Sequence, residues 1–255
     1  MQAQFKMTLN RFVPFLFFCV VLIFWEAVTR AQWIEAYLLP SPSAILKVTH
    51  DESTLLFRAL GQTFQNSMLG LVCSVILGTV FGFLFARVTI LRRIFYPYAI
   101  LFQTVPVIAV APLLVIWFGY GNTSVIVSSF IVSLFPMLAA SIEAFRAVPT
   151  ELQDLFRIFR SSRYDQFKKL DFPYALPTLF TGLRISAGLA IIGAIVGEFL
   201  SGQGLGSVID VAKTQYRSDL VFAAIALATL FGVFMFFIVE ILIQFFIGHW
   251  HSSRK

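Results

Sequence analysis

A chain of 255 residues that is 58% hydrophobic and 13% charged, with a mean hydropathy of +0.85, lacks the polar surface needed to cover a soluble globule of its size. Its formal charge of +6 does not mark a nucleic-acid binder, because the basic residues sit in short stretches between apolar blocks and form no Lys/Arg run interleaved with aromatics. Cys19 and Cys73 both fall inside apolar blocks without metal-ligand spacing, so neither a disulfide framework nor a metal site is implied.

Six apolar blocks follow one another, at 12–28, 66–86, 94–118, 123–141, 178–200 and 220–247. Crossing a hydrocarbon layer of about 30 Å takes roughly 20 helical residues, which these blocks supply. Lipid offers no partner to an open strand edge, and the blocks lack the alternation of barrel strands. The fold class is therefore all-α, a polytopic membrane protein of six transmembrane helices.

The chain opens with Lys6 and Arg11, but block 12–28 is too long for a signal-peptide core and no small-x-small site closes it, so it is expected to stay as the first helix. In the connection 29–65, Leu39-Pro40-Ser41-Pro42-Ser43 reads as a turn into a short interfacial helix. Pro97, Pro106 and Pro112 interrupt the third block, which is expected to be kinked or broken into two pieces. Broken helices often line pathways, making Gln103, Pro106 and Pro112 candidates for a translocation path.

The connection 143–177 is the longest on its side and the most informative. Pro149, Thr150 as a cap candidate, and Glu151 with Asp154 in the first turn signal a helix start. Leu152, Leu155, Phe156 and Phe159 then form an apolar stripe, with Arg157, Arg160 and Arg163 on other faces. A second helical piece is expected over 163–170, ended by Asp171-Phe172-Pro173, and Pro177 opens the fifth membrane helix. Within the membrane blocks Glu198 and Glu240 are the costly residues; Glu198 has either a pathway or gate role or a structural hydrogen bond, and Glu240 reads as structural. Gly202, Gly204 and Gly206 mark a turn in the connection 201–219.

Basic residues are retained on the cytoplasmic side. With the N-terminus inside, fourteen of the 19 Lys and Arg residues are cytoplasmic, including Arg87, Arg146, Arg157, Arg184, Arg254 and Lys255, against Arg30, Lys47, Arg58, Lys213 and Arg217 outside. Both termini are then cytoplasmic. The chain divides into 1–65, a first helix with an external interfacial segment, and 66–255, a five-helix core with the cytoplasmic loop.

At several segments the chain resembles the inner-membrane permeases of binding-protein-dependent ABC importers, in the nitrate/sulfonate/taurine branch with its thiamine-precursor and riboflavin relatives. They are Leu39-Pro40-Ser41-Pro42-Ser43, Val105-Pro106, Ala111-Pro112-Leu113, Trp117-Phe118-Gly119, Ser162-Arg163, Gly182-Leu183-Arg184, Gly197-Glu198-Phe199 and Gly204-Leu205-Gly206. The resemblance implies a type I importer permease fold in the bacterial inner membrane and a coupling segment that docks a separate ATPase. That segment maps to Asp154, Leu155, Phe156, Arg157, Arg160, Ser162 and Arg163. In the family it reads Glu-Ala-Ala, three residues, Gly, nine residues, Ile-x-Leu-Pro; here this falls on Asp154-Leu155-Phe156, Arg160 and Leu170-Asp171-Phe172-Pro173. Bulky side chains replace the alanines and Arg160 the turn glycine, so the close packing and sharp turn do not follow for this chain. The three arginines are candidates for ATPase contacts, or equally for anionic lipid.

No Gly-x-x-x-x-Gly-Lys-Ser/Thr cradle exists, so the chain is not the ATPase; it binds no cofactor, and ATP and Mg belong to P-loop partners. The resemblance further implies a second permease copy, an extracytoplasmic binding protein and a small organic solute. Local likeness at Gln103-Thr104-Val105-Pro106 and Val196-Gly197-Glu198-Phe199 favours a vitamin-type heterocycle, a thiamine pyrimidine precursor or riboflavin, with sulfonate, taurine or nitrate-like anions as the alternative. A reading of a different class is a secondary transporter or channel without ATP, which calls for more intramembrane carboxylates or inverted repeats. A membrane-embedded enzyme calls for a cluster of catalytic side chains, and His50, His249 and His251 form none in sequence.

Overall fold

The computed structural model describes residues 2–247, all of whose regular elements are helical. Arg254, Lys255, His249 and His251 lie outside the described residues. In chain order the helices are α1 (Gln2–Arg30), α2 (Pro42–Asp51), α3 (Ser53–Arg87), α4 (Thr89–Thr104), α5 (Val107–Phe118) and α6 (Asn122–Arg146). After them come α7 (Thr150–Ile158), α8 (Arg163–Gln166), a π-helical turn (Phe167–Asp171), α9 (Phe172–Ser201), α10 (Gly204–Thr214) and α11 (Ser218–Ile247).

The apolar blocks become α1, α3, the α4–α5 pair, α6, α9 and α11. Among the described residues, α3, α6, the continuous run 163–201 and α11 are each long and apolar enough to cross a membrane. The third block breaks at Pro106, which caps α5, while Pro97 and Pro112 are carried inside α4 and α5. At 1.5 Å per residue the 12 residues of α5 reach only about 18 Å, so neither piece crosses alone.

Three boundaries differ from the sequence reading. α3 begins at Ser53 instead of 66, because its polar first half buries Leu56 and Ala59 against α10 and α11 while keeping Arg58 outward. Asp171-Phe172-Pro173 does not end a helix. The chain widens into a π turn, in which Phe172 N–H reaches Phe167 O, and continues as α9; this places Pro173 in the first turn of α9, where a missing N–H costs little, and Pro177 inside it. The connection 201–219 is not a simple turn, since it contains α10.

The core is the packing of α6 against α9 and α3. Small residues permit it: a Cβ on Gly82 would lie 2.2 Å from Ser141 Cβ, and one on Gly193 would lie 2.9 Å from Ser128 O. Backbones this close let buried serines bond across helices, Ser128 Oγ donating to Gly193 O at 2.7 Å and Ser129 Oγ to Ala190 O at 2.9 Å. Within lipid, dispersion contacts and such bonds replace the hydrophobic drive as the source of helix association.

Candidate functional site: a helix–turn–helix, a groove and an interhelical clasp

At the end of the molecule where α3 and α6 finish, α7 forms from Thr150, with Pro149 rather than Thr150 at its cap position. No residue of α7 is buried: Leu152, Leu155, Ile158 and, just after the helix, Phe159 are exposed, the last two by about three quarters. Its apolar residues are thus open at one end of the helix bundle, the kind of surface that marks a candidate interaction site. Asp154 and Arg157 pair on its surface at 3.0 Å.

The turn after α7 is sharp despite the missing glycine. Arg160 adopts a left-handed φ of 52°, its N–H reaches Arg157 O at 2.9 Å, and Ser161 N–H reaches Phe156 O at 3.0 Å. This is the Schellman pattern, usually closed by Gly, with an arginine in the left-handed position. The sharp turn that could not be assumed from the sequence is therefore present; its hydrogen bonds hold an L-residue where glycine would be unstrained. Ser162 then caps α8, accepting from Asp165 N–H at 3.0 Å, and Arg163 is the first residue of that helix. The predicted coupling residues Asp154, Leu155, Phe156, Arg157, Arg160, Ser162 and Arg163 therefore form one continuous helix–turn–helix.

A groove of about 830 Å³ lies between α4, α6 and α9. Gln103 and Tyr96 line it from α4, Thr178 and Thr181 from α9, and Glu143 with Arg146 from α6, Arg92 lying on the α4 side. Of the four pathway candidates Gln103 is on its wall. Pro106 and Pro112 are exposed on the neighbouring broken helix, off the lining. Arg184, counted on the cytoplasmic side, sits inside α9 with its guanidinium 5.7 Å from the ring of Phe236.

Glu198 lies elsewhere. It is fully buried near the C-terminal end of α9, accepting from Thr63 Oγ1 at 2.9 Å and from Gly206 N–H at 3.0 Å. Leu205 N–H donates to Thr63 Oγ1 at 3.0 Å and Gly204 N–H to Gln62 Oε1 at 3.1 Å. Side chains from α3 and α9 thus satisfy three of the orphan amides that begin α10, with a carboxylate at the positive end of its dipole. Gly204, at φ 77°, is needed because a Cβ there would lie 2.1 Å from the Glu198 carboxyl carbon. Thr63 and Gln62 were missed by sequence reasoning, since a polar residue in an amphipathic half-helix carries no distinguishing signal. A similar clasp holds α2: Ser41 caps it, and Glu26 of α1 accepts from Ser43 N–H at 3.0 Å and Ser43 Oγ at 2.7 Å.

Residues 74–247 match the family model of the binding-protein-dependent transport system inner membrane component. The chain belongs to that family. The formylaminopyrimidine transport permease protein of Halalkalibacterium halodurans is 35% identical to it over 225 residues, covering 88% of this chain and 90% of that protein. The riboflavin transport system permease protein of Chloroflexus aurantiacus is 30% identical over 237 residues, covering 92% and 88%. The inward-facing structure of the MetNI methionine ABC transporter superposes with a TM-score of 0.61 at 17% identity, over 75% of this chain and 94% of that one, which establishes the shared fold. The permease is therefore the multi-pass inner-membrane subunit of an ABC importer, with the type I permease fold. It is a transport component whose ATPase activity lies in a separate subunit, and it works with ATPase, binding-protein and second-permease partners.

Proposed function

We propose that two copies of this permease form the path for a vitamin-type heterocycle, a formylaminopyrimidine-like thiamine precursor or riboflavin, released to them by an extracytoplasmic binding protein. The observation that carries the reading is the 35% and 30% identity, over nearly the whole chain, to permeases named for those solutes. The groove supports it chemically: Tyr96 offers a ring face, and Gln103, Thr178 and Thr181 offer donors and acceptors for ring nitrogens and carbonyls. In this reading α7 and the Arg160 turn seat in the ATPase, whose ATP and Mg shift the pair of permeases between inward- and outward-facing packings. Both termini are cytoplasmic, on the side of the coupling segment.

The test is uptake of labelled formylaminopyrimidine, riboflavin and taurine by cells expressing the permease together with its ATPase and binding-protein partners. Saturable uptake of one of the heterocycles and none of taurine supports the reading; taurine uptake alone overturns it.

A further inference from the structure

Three parts of the chain meet at Arg87, the last residue of α3. Its Nη2 donates to Asp171 Oδ2 in the π turn that leads into α9, and its Nη1 donates to Gln153 Oε1 on α7 at 3.3 Å. Gln153 in turn donates from Nε2 to Val148 O, just beyond the end of α6, at 3.0 Å. The Asp171 side chain is 3% exposed and that of Arg87 29%, so the pair is shielded from water far more than the surface Asp154–Arg157 pair of α7. Beneath it the guanidinium lies 5.5 Å from the Phe83 ring, and Phe83 packs edge-on against Phe145 of α6 and Phe167 of the π turn, each at 5.0 Å.

From this convergence we propose that the Arg87–Asp171 pair, with Gln153, is the positioning device that makes α7 move as one body with α3 and α9. No residue of α7 is fully buried, so beyond the half-buried Phe156 its attachment to the bundle depends on hydrogen bonds and on the covalent turn at each end. Arginine suits the position because one planar fork serves two acceptors at once, which a lysine ammonium on a flexible stem does less well. A push on α7 then reaches two of the three core helices through one guanidinium, and α6 through Gln153. The claim rests on the proposed docking of α7 to an ATPase.

The experiment uses the complex purified with its ATPase partner, carrying nitroxides at the exposed Glu151 of α7 and Leu200 of α9 in a Cys19→Ala, Cys73→Ala background. Spin–spin distances are measured in the resting state and after trapping with ATP and vanadate. In the parent, the α7–α9 distance is expected to stay the same in both states. In Asp171→Asn and in Gln153→Ala it is expected to shift or broaden only on trapping, as α7 follows the ATPase and leaves α9 behind; Asp171→Glu is expected to restore the parent behaviour. Gln153 is partly exposed and its replacement leaves the core intact, so a folding defect in Asp171→Asn does not remove the test. Unchanged distances in both variants, or a parent distance that itself shifts on trapping, overturn the inference. Failure to recover any P-loop ATPase with the parent chain refutes the docking reading instead.

Discussion

Thr63 of α3 and Glu198 of α9 share a 2.9 Å hydrogen bond across 135 residues of sequence, and together they hold the start of α10. Thr63 acts in both directions, donating to the carboxylate and accepting from Leu205 N–H. Thr63→Val keeps the shape and removes both bonds, leaving the buried Glu198 Oε2 with Gly206 N–H alone and the buried Leu205 amide without a partner. The expected loss is about 2–4 kcal/mol of stability, read as a lower thermal unfolding midpoint in detergent and faster proteolysis within α10.

Gly204 tests the same clasp from the other side. Gly204→Ala places a methyl on the Glu198 carboxyl group at a left-handed φ, and the expected destabilisation is roughly 2–3 kcal/mol. Gly232→Ala, which meets open space in a helix, is the control and should be neutral or slightly stabilising in the same thermal assay.

This clasp also shows how much of the molecule could be read in advance. Gly197-Glu198-Phe199 and Gly204-Leu205-Gly206 stood out as separate segments, yet they are the two halves of one contact, and no periodicity links residues that meet only after α9 turns back into α10. The membrane blocks were legible because apolar length is a direct requirement of the bilayer. Their ends were not, since the first half of α3 is amphipathic and buried against protein. Arg87 was read only as a topological marker; that it would find Asp171 depends on packing. The break at Pro106 was visible because proline acts locally on its own backbone.

At Arg160 the prediction runs toward greater stability. Arg160→Gly should relieve about 1 kcal/mol of left-handed strain and slow hydrogen exchange of the Ser161 amide, which bonds Phe156 O. Arg160→Pro cannot adopt the positive φ and loses the N–H to Arg157 O, so exchange at Ser161 should rise to that of an open turn.

The exposed apolar residues of α7 should matter for association and not for folding. Ile158→Asp together with Phe159→Asp is expected to leave membrane insertion and the unfolding midpoint unchanged while reducing ATPase recovery at least about tenfold, the scale of losing a central apolar anchor. Parallel loss of the folded permease would count against the docking assignment.

In the groove, Gln103→Ala should weaken solute handling without touching partner assembly. Raised half-saturation for uptake with unchanged ATPase recovery is the expected pattern, at roughly five- to tenfold for one lost hydrogen bond.

ATP-coupled import through this permease is tested most directly by measuring labelled-heterocycle uptake after replacing the phosphate-binding lysine of its ATPase partner. Uptake should fall to the level of cells lacking the permease, with the complex still assembled. Uptake that continues at the original rate with the ATPase disabled would contradict the account.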